Sequence, residues 1–392
     1  MRLLHLIASV DPRGGGPVEG MLRIHAELQR MGHQGDILCL DAPDAPHVHA
    51  VPGRVHALGP VKGTYGYSPA LVPWLRQHAS SYDAVIVNGL WQYTGLAAWR
   101  ALRDSAPGYH VFTHGMLDPW FKRRYPLKHL KKWLYWPWGE YRVLRDAKAV
   151  LFTCDEERLL ARQSFWLYRA REVISSYGAA EPPPDEGGRL AASFLDRWPE
   201  LRGQRLALFL GRIHEKKGCD LLIEAFARIS ATHPDTRLVM AGPDADGWSG
   251  ALQQRASRLG VSDRITWTGM LTGDLKWGAF YASEVFCLPS HQENFGVAVA
   301  EALACGKPVL LSDKVNIWRE IEQDGAGWVA PDTLDGTIST MTRWLDASPS
   351  QLEAVRHAAR QCFSQRFRIE TVATNLVKIF QTAHPVPSDT RP

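Results

Sequence analysis

The stretch S-H-Q-E-N-F-G-V-A-V-A-E-A-L-A-C-G-K-P-V, Ser290 to Val309, places two glutamates, Glu293 and Glu301, eight positions apart across a strand-to-helix junction. The apolar run ending at Leu288 reads as a strand, 289–294 as a loop, and 295–305 as a helix closed by Gly306 and followed by Pro308. The first backbone N–H groups of such a helix have no intrahelical partner and carry partial positive charge. The turn through Asn294, Phe295, Gly296 and Val297 therefore suits an anion such as a diphosphate. Glycine at 296 lets a ligand approach the backbone. Glu293 beside that turn cannot usefully hold phosphate, but it can accept hydrogen bonds from the hydroxyls of an attached sugar. Glu301 lies about two helical turns further on, within reach of a more distant polyol such as a ribose. An ordinary helix with two solvated glutamates explains an isolated pair as well, so the neighbouring motifs decide.

One of them opens the second half of the chain. The strand-like L-A-L-F-L at 206–210 runs into Gly211-Arg212-Ile213-His214-Glu215-Lys216-Lys217-Gly218 and an amphipathic helical pattern, 219–229. Arg212 and Lys217 on one strand-to-helix loop can clamp two phosphates, the guanidinium in bidentate fashion and the ammonium as a point charge. Lys216 reads as solvated.

The 392 residues are too many for one ordinary core and imply two domains. Expected bounds are 1–176 for the first domain, a proline- and glycine-rich linker at 177–202, and 203–366 for the second. A returning helix at 367–384 and a disordered tail at 385–392 complete the chain. Apolar runs at 37–40, 84–88, 109–113 and 148–152 alternate with helical patterns at about 68–79, 92–103, 127–146 and 155–165. That alternation predicts an α/β fold with mostly parallel, doubly wound sheets and ligands at the carboxyl ends of the strands. The loop D-P-R-G-G-G after the first strand lacks the G-x-G-x-x-G spacing, which disfavours a Rossmann dehydrogenase.

Hydrophobic content of 45% and charged content of 22% describe an ordinary globular protein. Six scattered cysteines read as buried thiols in a reducing compartment, hence a cytoplasmic location. The first ten residues are apolar for too short a run to be a signal peptide, and no run approaches the ~18 residues of a membrane span. The net charge of +4 is uneven: residues 1–180 hold 22 Lys+Arg against 15 Asp+Glu, and the remainder is slightly acidic. Much of the surplus lies in W-F-K-R-R-Y-P-L-K-H-L-K-K-W-L-Y-W-P-W, with Lys122, Arg123, Arg124, Lys128, Lys131 and Lys132 among four tryptophans. Such a segment suits an anionic membrane surface or an acceptor bearing diphosphate; a solvated basic face with inward aromatics is the plainer alternative. Nothing else in the chain resembles a nucleic-acid module.

The Glu293 stretch resembles the E-x7-E signature of retaining GT-B glycosyltransferases, family 4 (glycosyl transferases group 1), including the Phe-Gly and the E-A-[LM]-A-x-G-x-P-V tail. Gly211–Gly218 is similar to the family's G-R-x-x-x-x-K-G motif, and the likeness extends over nearly the whole chain. It implies two Rossmann-like domains facing a cleft, with a last helix crossing back to the first. It further implies Arg212 and Lys217 on the leaving diphosphate, Glu293 on the donor sugar, and Glu301 on the ribose. Gly14, Gly15 and Gly16 then face the phosphates, and loops around Gly242 and Met270 hold the base.

The His114-Gly115-Met116-Leu117-Asp118-Pro119 string matches the family position whose histidine approaches the reacting carbon, with Asn88 on a neighbouring strand end and Asp118 for an acceptor hydroxyl. A lone structural histidine is the plainer reading of His114. Asn316 and Glu320 stand where the family has G-G-x-P-E. The resemblance implies no cofactor and no metal, and no Asp-x-Asp motif is read here to hold a divalent ion on the diphosphate, so that the two cationic side chains replace it. The expected activity is retaining transfer of a hexosyl unit from GDP-mannose or a UDP-glucose-type donor to a saccharide acceptor, lipid-linked, in exopolysaccharide or lipopolysaccharide synthesis. The location is cytoplasmic, with peripheral contact at the inner face of the membrane. A GT-B-like sugar-nucleotide 2-epimerase and a non-catalytic sugar-nucleotide-binding protein share the donor motifs and stay open.

Overall fold

The structure, a computed structural model, describes residues 1–244 and 247–382, the side chain of Arg123 excepted. The chain divides into two compact units, Met1–Gly178 together with the chain from Ile369, and Ala179–Arg368. The first contains a seven-stranded sheet: β1 (Arg2–Leu6), β2 (Gln34–Cys39), β3 (Arg54–Ala57), β4 (Ala84–Asn88), β5 (His110–Phe112), β6 (Val150–Phe152) and β7 (Glu172–Ile174). All are parallel, in the order β3-β2-β1-β4-β5-β6-β7. The second holds six parallel strands: β8 (Arg205–Leu210), β9 (Thr236–Ala241), β10 (Ile265–Gly269), β11 (Val285–Leu288), β12 (Val309–Ser312) and β13 (Gly327–Ala330). Their order is β10-β9-β8-β11-β12-β13.

The central strands form because their apolar runs can be covered on both faces by crossover helices, as parallel sheets require. Leu4, Leu6, Val85, Val87, Val111, Val150 and Phe152 are fully buried in one cluster. In each sheet the order reverses once, between β1 and β4 and between β8 and β11. Loops leaving the two strands there diverge and open a crevice at their carboxyl ends.

Several expectations change. The stretch expected as a linker, 177–202, carries a helix, Arg189–Arg197, whose Leu190 and Phe194 are buried against the helix Gly273–Ala282. Leu190, Phe194 and Trp198, at i, i+4 and i+8, bring an apolar stripe that the neighbouring Pro and Gly residues obscure. The single helix expected over 127–146 is two, Pro126–Tyr135 and Glu140–Asp146, parted at Gly139, where a Cβ would stand 2.2 Å from the Tyr135 ring. The helix Ile369–Thr382 belongs to the first unit, where it packs along the helix Gly16–Arg30. Residues 383–384 and the tail 385–392 lie outside the described residues.

Val372, Ala373, Leu376, Val377 and Phe380 are the buried face of that last helix, and Phe380 meets His110 edge-on at 4.8 Å between ring centres. Leu376→Ala is expected to lower the stability of the first unit by about 2–5 kcal/mol. Denaturant unfolding should show the shift in that unit's transition alone, the second unit's midpoint staying put.

Candidate functional site

The two loops at the β8/β11 switch point are joined by close backbone approach. Gly218, at φ +64°, lies so near Pro289 that an added Cβ would stand 2.1 Å from its carbonyl oxygen. Gly242, after β9, similarly abuts the Gly211 carbonyl, at 1.8 Å from a hypothetical Cβ. Glycine at these positions presses three strand-end loops together. On them the Lys217 ammonium forms an ion pair with Glu293, both side chains about one-fifth exposed, and Arg212 is exposed. The Glu293 loop is fixed by its backbone: Glu293 N–H donates to Lys314 O at 2.9 Å, and Asn316 N–H donates to Glu293 O at 2.9 Å. Asn316 also donates to the Asn294 side-chain oxygen at 3.4 Å, which sets the departed G-G-x-P-E segment beside the turn.

The helix after that turn runs Val297–Ala304, two residues shorter at its start than expected, because Gly296 caps it at φ +76° with no side-chain cap bond. Phe295 is buried and meets Phe367 edge-on at 5.5 Å, so its side chain is core, and only its backbone borders the turn. Glu301 is buried and accepts from Lys276 Nζ at 2.8 Å. Both glutamates of the motif thus rest on lysines. Lys276 was silent in the sequence, since its distance of 25 residues from Glu301 follows no local pattern. Met270 stands on its own loop after β10, 68% exposed.

Among the described residues no three His, Cys, Asp or Glu side chains stand together so as to hold a metal. One Asp-x-Asp string does occur, Asp244-Ala245-Asp246. Asp244 caps the helix Ser249–Arg258, accepting from Trp248 N–H at 2.8 Å and Ser249 N–H at 3.0 Å, and Asp246 lies outside the described residues.

In the first unit, Gly15 turns at φ +71° between a short turn capped by Asp11 and the helix Gly16–Arg30, and the Tyr177 hydroxyl donates to Gly16 O at 2.8 Å. His114 sits at φ +49°, an uncommon conformation for a side-chain-bearing residue. Its ring stacks on Phe112 at 4.6 Å, meets Tyr177 edge-on at 5.7 Å, and lies 3.3 Å from the Asn88 side-chain oxygen. Burial pushes its pKa down to about 3, so the imidazole is neutral at physiological pH.

What holds this turn is Glu157, buried in the helix Asp155–Ala161. One carboxylate oxygen accepts from the Thr113 hydroxyl at 2.5 Å and Gly115 N–H at 2.6 Å. The other accepts from Thr153 N–H at 2.7 Å and its hydroxyl at 2.6 Å. The sequence held a partial signal, an acid three residues after the helix cap Cys154, but that spacing announces local capping and not a brace on another strand. Asp118 is buried at the end of the same loop and accepts from Trp120 N–H at 2.8 Å.

The basic segment forms the helices Trp120–Arg124 and Pro126–Tyr135. Lys122, Arg124, Lys128 and Lys131 are exposed and Lys132 is half-buried; the Arg123 side chain lies outside the described residues. Trp136 is buried, whereas Leu127, Leu130, Trp133, Leu134 and Trp138 are exposed, so the inward-aromatic alternative covers only part of the segment.

Two doubly wound parallel units of this kind make up the GT-B fold. The whole-chain match to the crystal structure of Anabaena HepE in complex with UDP has a TM-score of 0.74 at 18% identity and covers 97% of this chain and all of that one. Sucrose-phosphate synthase from Thermosynechococcus elongatus gives 0.72 at 18%, over 97% and 99%. Residues 195–361 match the family model of glycosyl transferases group 1, and residues 15–178 match that of the glycosyl transferase 4-like domain. The chain belongs to this family 4 type of group 1 glycosyltransferases.

Alpha-D-kanosaminyltransferase of Streptomyces kanamyceticus is 24% identical over 62% of this chain and 63% of its own. D-inositol 3-phosphate glycosyltransferase of Segniliparus rotundus is 30% identical over 46% and 40%. The chain spans 40 to 63% of the length of the curated relatives it matches.

Glu157→Gln sets an amide donor against a Thr113 or Thr153 donor, and is expected to cost the first unit about 1–3 kcal/mol in denaturant unfolding. Acid should also weaken this unit. His5 and His114 are both held near 3 against an ordinary 6.5, so the unfolded chain binds more protons between those values. Their stabilisation is present above about 6.5 and is lost as pH falls towards 3. Glu140, pushed up to about 7 by burial, works in the opposite sense but is one group against two. A denaturation midpoint that rises from pH 7 to pH 5 would contradict this.

Proposed function

We propose that this chain is a retaining, metal-independent glycosyltransferase that moves a hexosyl unit from a nucleoside-diphosphate sugar, of GDP-mannose or UDP-glucose type, to a saccharide acceptor. The observation that carries this is the meeting of the Arg212–Lys217 loop and the Glu293 loop at one switch point, with Lys217 and Glu293 paired. An arriving diphosphate competes for the Lys217 ammonium, and Glu293, once released, can accept hydrogen bonds from the donor's sugar hydroxyls.

The bond from the anomeric carbon to the diphosphate breaks, its electrons going to the leaving oxygen. The acceptor oxygen bonds that carbon from the same face, and its proton passes to the leaving phosphate. Arg212, Lys217 and the uncapped helix start after Gly296 oppose the charge that develops, the kind of fixed electrostatics that is usually the largest catalytic contribution. A neutral His114 can hydrogen-bond the sugar without repelling a positive ring.

The acceptor we infer is lipid-linked, for exopolysaccharide or lipopolysaccharide synthesis, reached from the cytoplasmic face through peripheral contact with an anionic membrane. Leu127, Leu130 and Leu134, at i, i+3 and i+7, give the helix Pro126–Tyr135 an exposed apolar stripe flanked by lysines, which favours that surface. Among the described residues no helix is long and apolar enough to cross a membrane.

Thermal-shift titration against a panel of nucleotide sugars tests the donor: one class should stabilise the fold by about 2.7 kcal/mol at 100 times its dissociation constant. Arg212→Ala should weaken that binding by about 10- to 150-fold. Transfer should survive EDTA, and NMR of the product should show the donor's anomeric configuration. Release of a free epimerised sugar would favour the epimerase, and no response to any nucleotide sugar would favour the non-catalytic reading.

A further inference from the structure

The His114 loop runs directly into a second feature that the donor chemistry leaves unused. Between that loop and the helix Pro126–Tyr135 lies a cavity of about 60 Å³, walled by Asp118, Phe121, Tyr125, Lys128, His129 and Lys132. One water needs about 10–15 Å³ on this measure, so the space holds roughly four waters, room for one phosphoryl group, and it opens to solvent where a second can stand. Its charged lining is two lysines, Lys128 and Lys132, and one carboxylate, Asp118, while burial and the neighbouring Lys122 and Lys132 lower the His129 pKa, so that its imidazole enters as a neutral hydrogen-bonding ring. Lys132 Nζ lies 4.5 Å from the centre of the Trp91 ring and 5.6 Å from that of Phe121. Lys128 Nζ lies 5.0 Å from the centre of Tyr125, and His129 stacks on Phe165 at 4.7 Å. Aromatic faces hold these three groups in fixed positions, and no carboxylate forms an ion pair with Lys128 or Lys132 among the described residues. Burial pulls the Lys132 pKa down from its ordinary value, against the opposing pull of the buried Glu140 and with the repulsion of Lys128. The helix bearing all three has no acidic residue in its first turn to offset them.

We propose that this cavity is a phosphate subsite, in which Lys128, His129 and Lys132 hold a phosphate or diphosphate group of the acceptor at the end of the His114 loop. It rests on the transferase reading only in naming the ligand as the acceptor. Asp118 in the same wall is the carboxylate best placed to meet a hydroxyl of that ligand.

The test is calorimetric binding of inorganic pyrophosphate to the full chain carrying Arg212→Ala and Lys217→Gln, which removes the donor-side cations. Adding Lys132→Met is expected to weaken the remaining binding at least about tenfold, the loss of one charge-assisted contact. Lys128→Gln, on an exposed side chain, is expected to do the same and keeps the test standing if Lys132→Met fails to fold. Lys62→Gln, exposed in the same unit but outside the cavity, should change nothing. Unchanged binding in both cavity variants, or an equal loss in Lys62→Gln, overturns the subsite. Within a positive result, competition by phosphatidylglycerol vesicles assigns the phosphate to a lipid, and its absence assigns it to a soluble acceptor. Loss of the subsite with nucleotide-sugar binding intact leaves the transferase reading standing. A cavity that binds pyrophosphate in a protein blind to every nucleotide sugar overturns that reading and keeps the subsite.

Discussion

Two lysine–glutamate pairs, Lys217 with Glu293 and Lys276 with Glu301, set the character of the second unit's site. A half-buried carboxylate is costly unless a cation answers it, and a buried one such as Glu301 more so. Each pair therefore fixes the position of its glutamate, Glu293 on the loop after β11 and Glu301 in the helix that follows. The pairing also ties elements distant in sequence, since Lys217 leaves β8 and Glu293 leaves β11, strands made neighbours only by the switch in strand order. Glycines at 218 and 242 then allow the backbones to close to distances that any side chain would forbid.

The first unit solves a related problem by other means. There the reactive-looking group is a neutral imidazole in an uncommon backbone conformation, and a conformation of that kind persists only where its surroundings over-determine it. Glu157 supplies the constraint with four short hydrogen bonds to two strand-end threonines and one glycine. An anionic brace and an aromatic stack together fix the ring without giving it charge.

The parallel cores were legible because strands buried on both faces read as continuous apolar runs, as at 84–88 and 206–210, and because Gly-rich loops mark their ends. The edge strands β3 and β7 were not, being three or four residues long and only half-buried, with no period to detect. The helix Arg189–Arg197 was hidden by the Pro and Gly residues before it, although its apolar stripe is present. At the candidate site, the two loops that bring Lys217 to Glu293 were legible from motif spacing. Phe295 was read through its backbone at the turn; that its side chain packs against Phe367, 72 residues on, follows no local spacing. Glu157 and Lys276 escaped because their partners are set by tertiary contact, which local spacing does not encode.

The last helix carries a consequence for biosynthesis. Ile369–Thr382 completes the hydrophobic face of the unit that begins at Met1, and all 190 residues of the other unit are made in between. Chains commonly fold domain by domain from the amino end as they are synthesised. Here the order inverts: Ala179–Arg368 can close as soon as it leaves the ribosome, while the earlier unit waits with the groove beside the Gly16–Arg30 helix uncovered. The half of the molecule translated first is the half finished last.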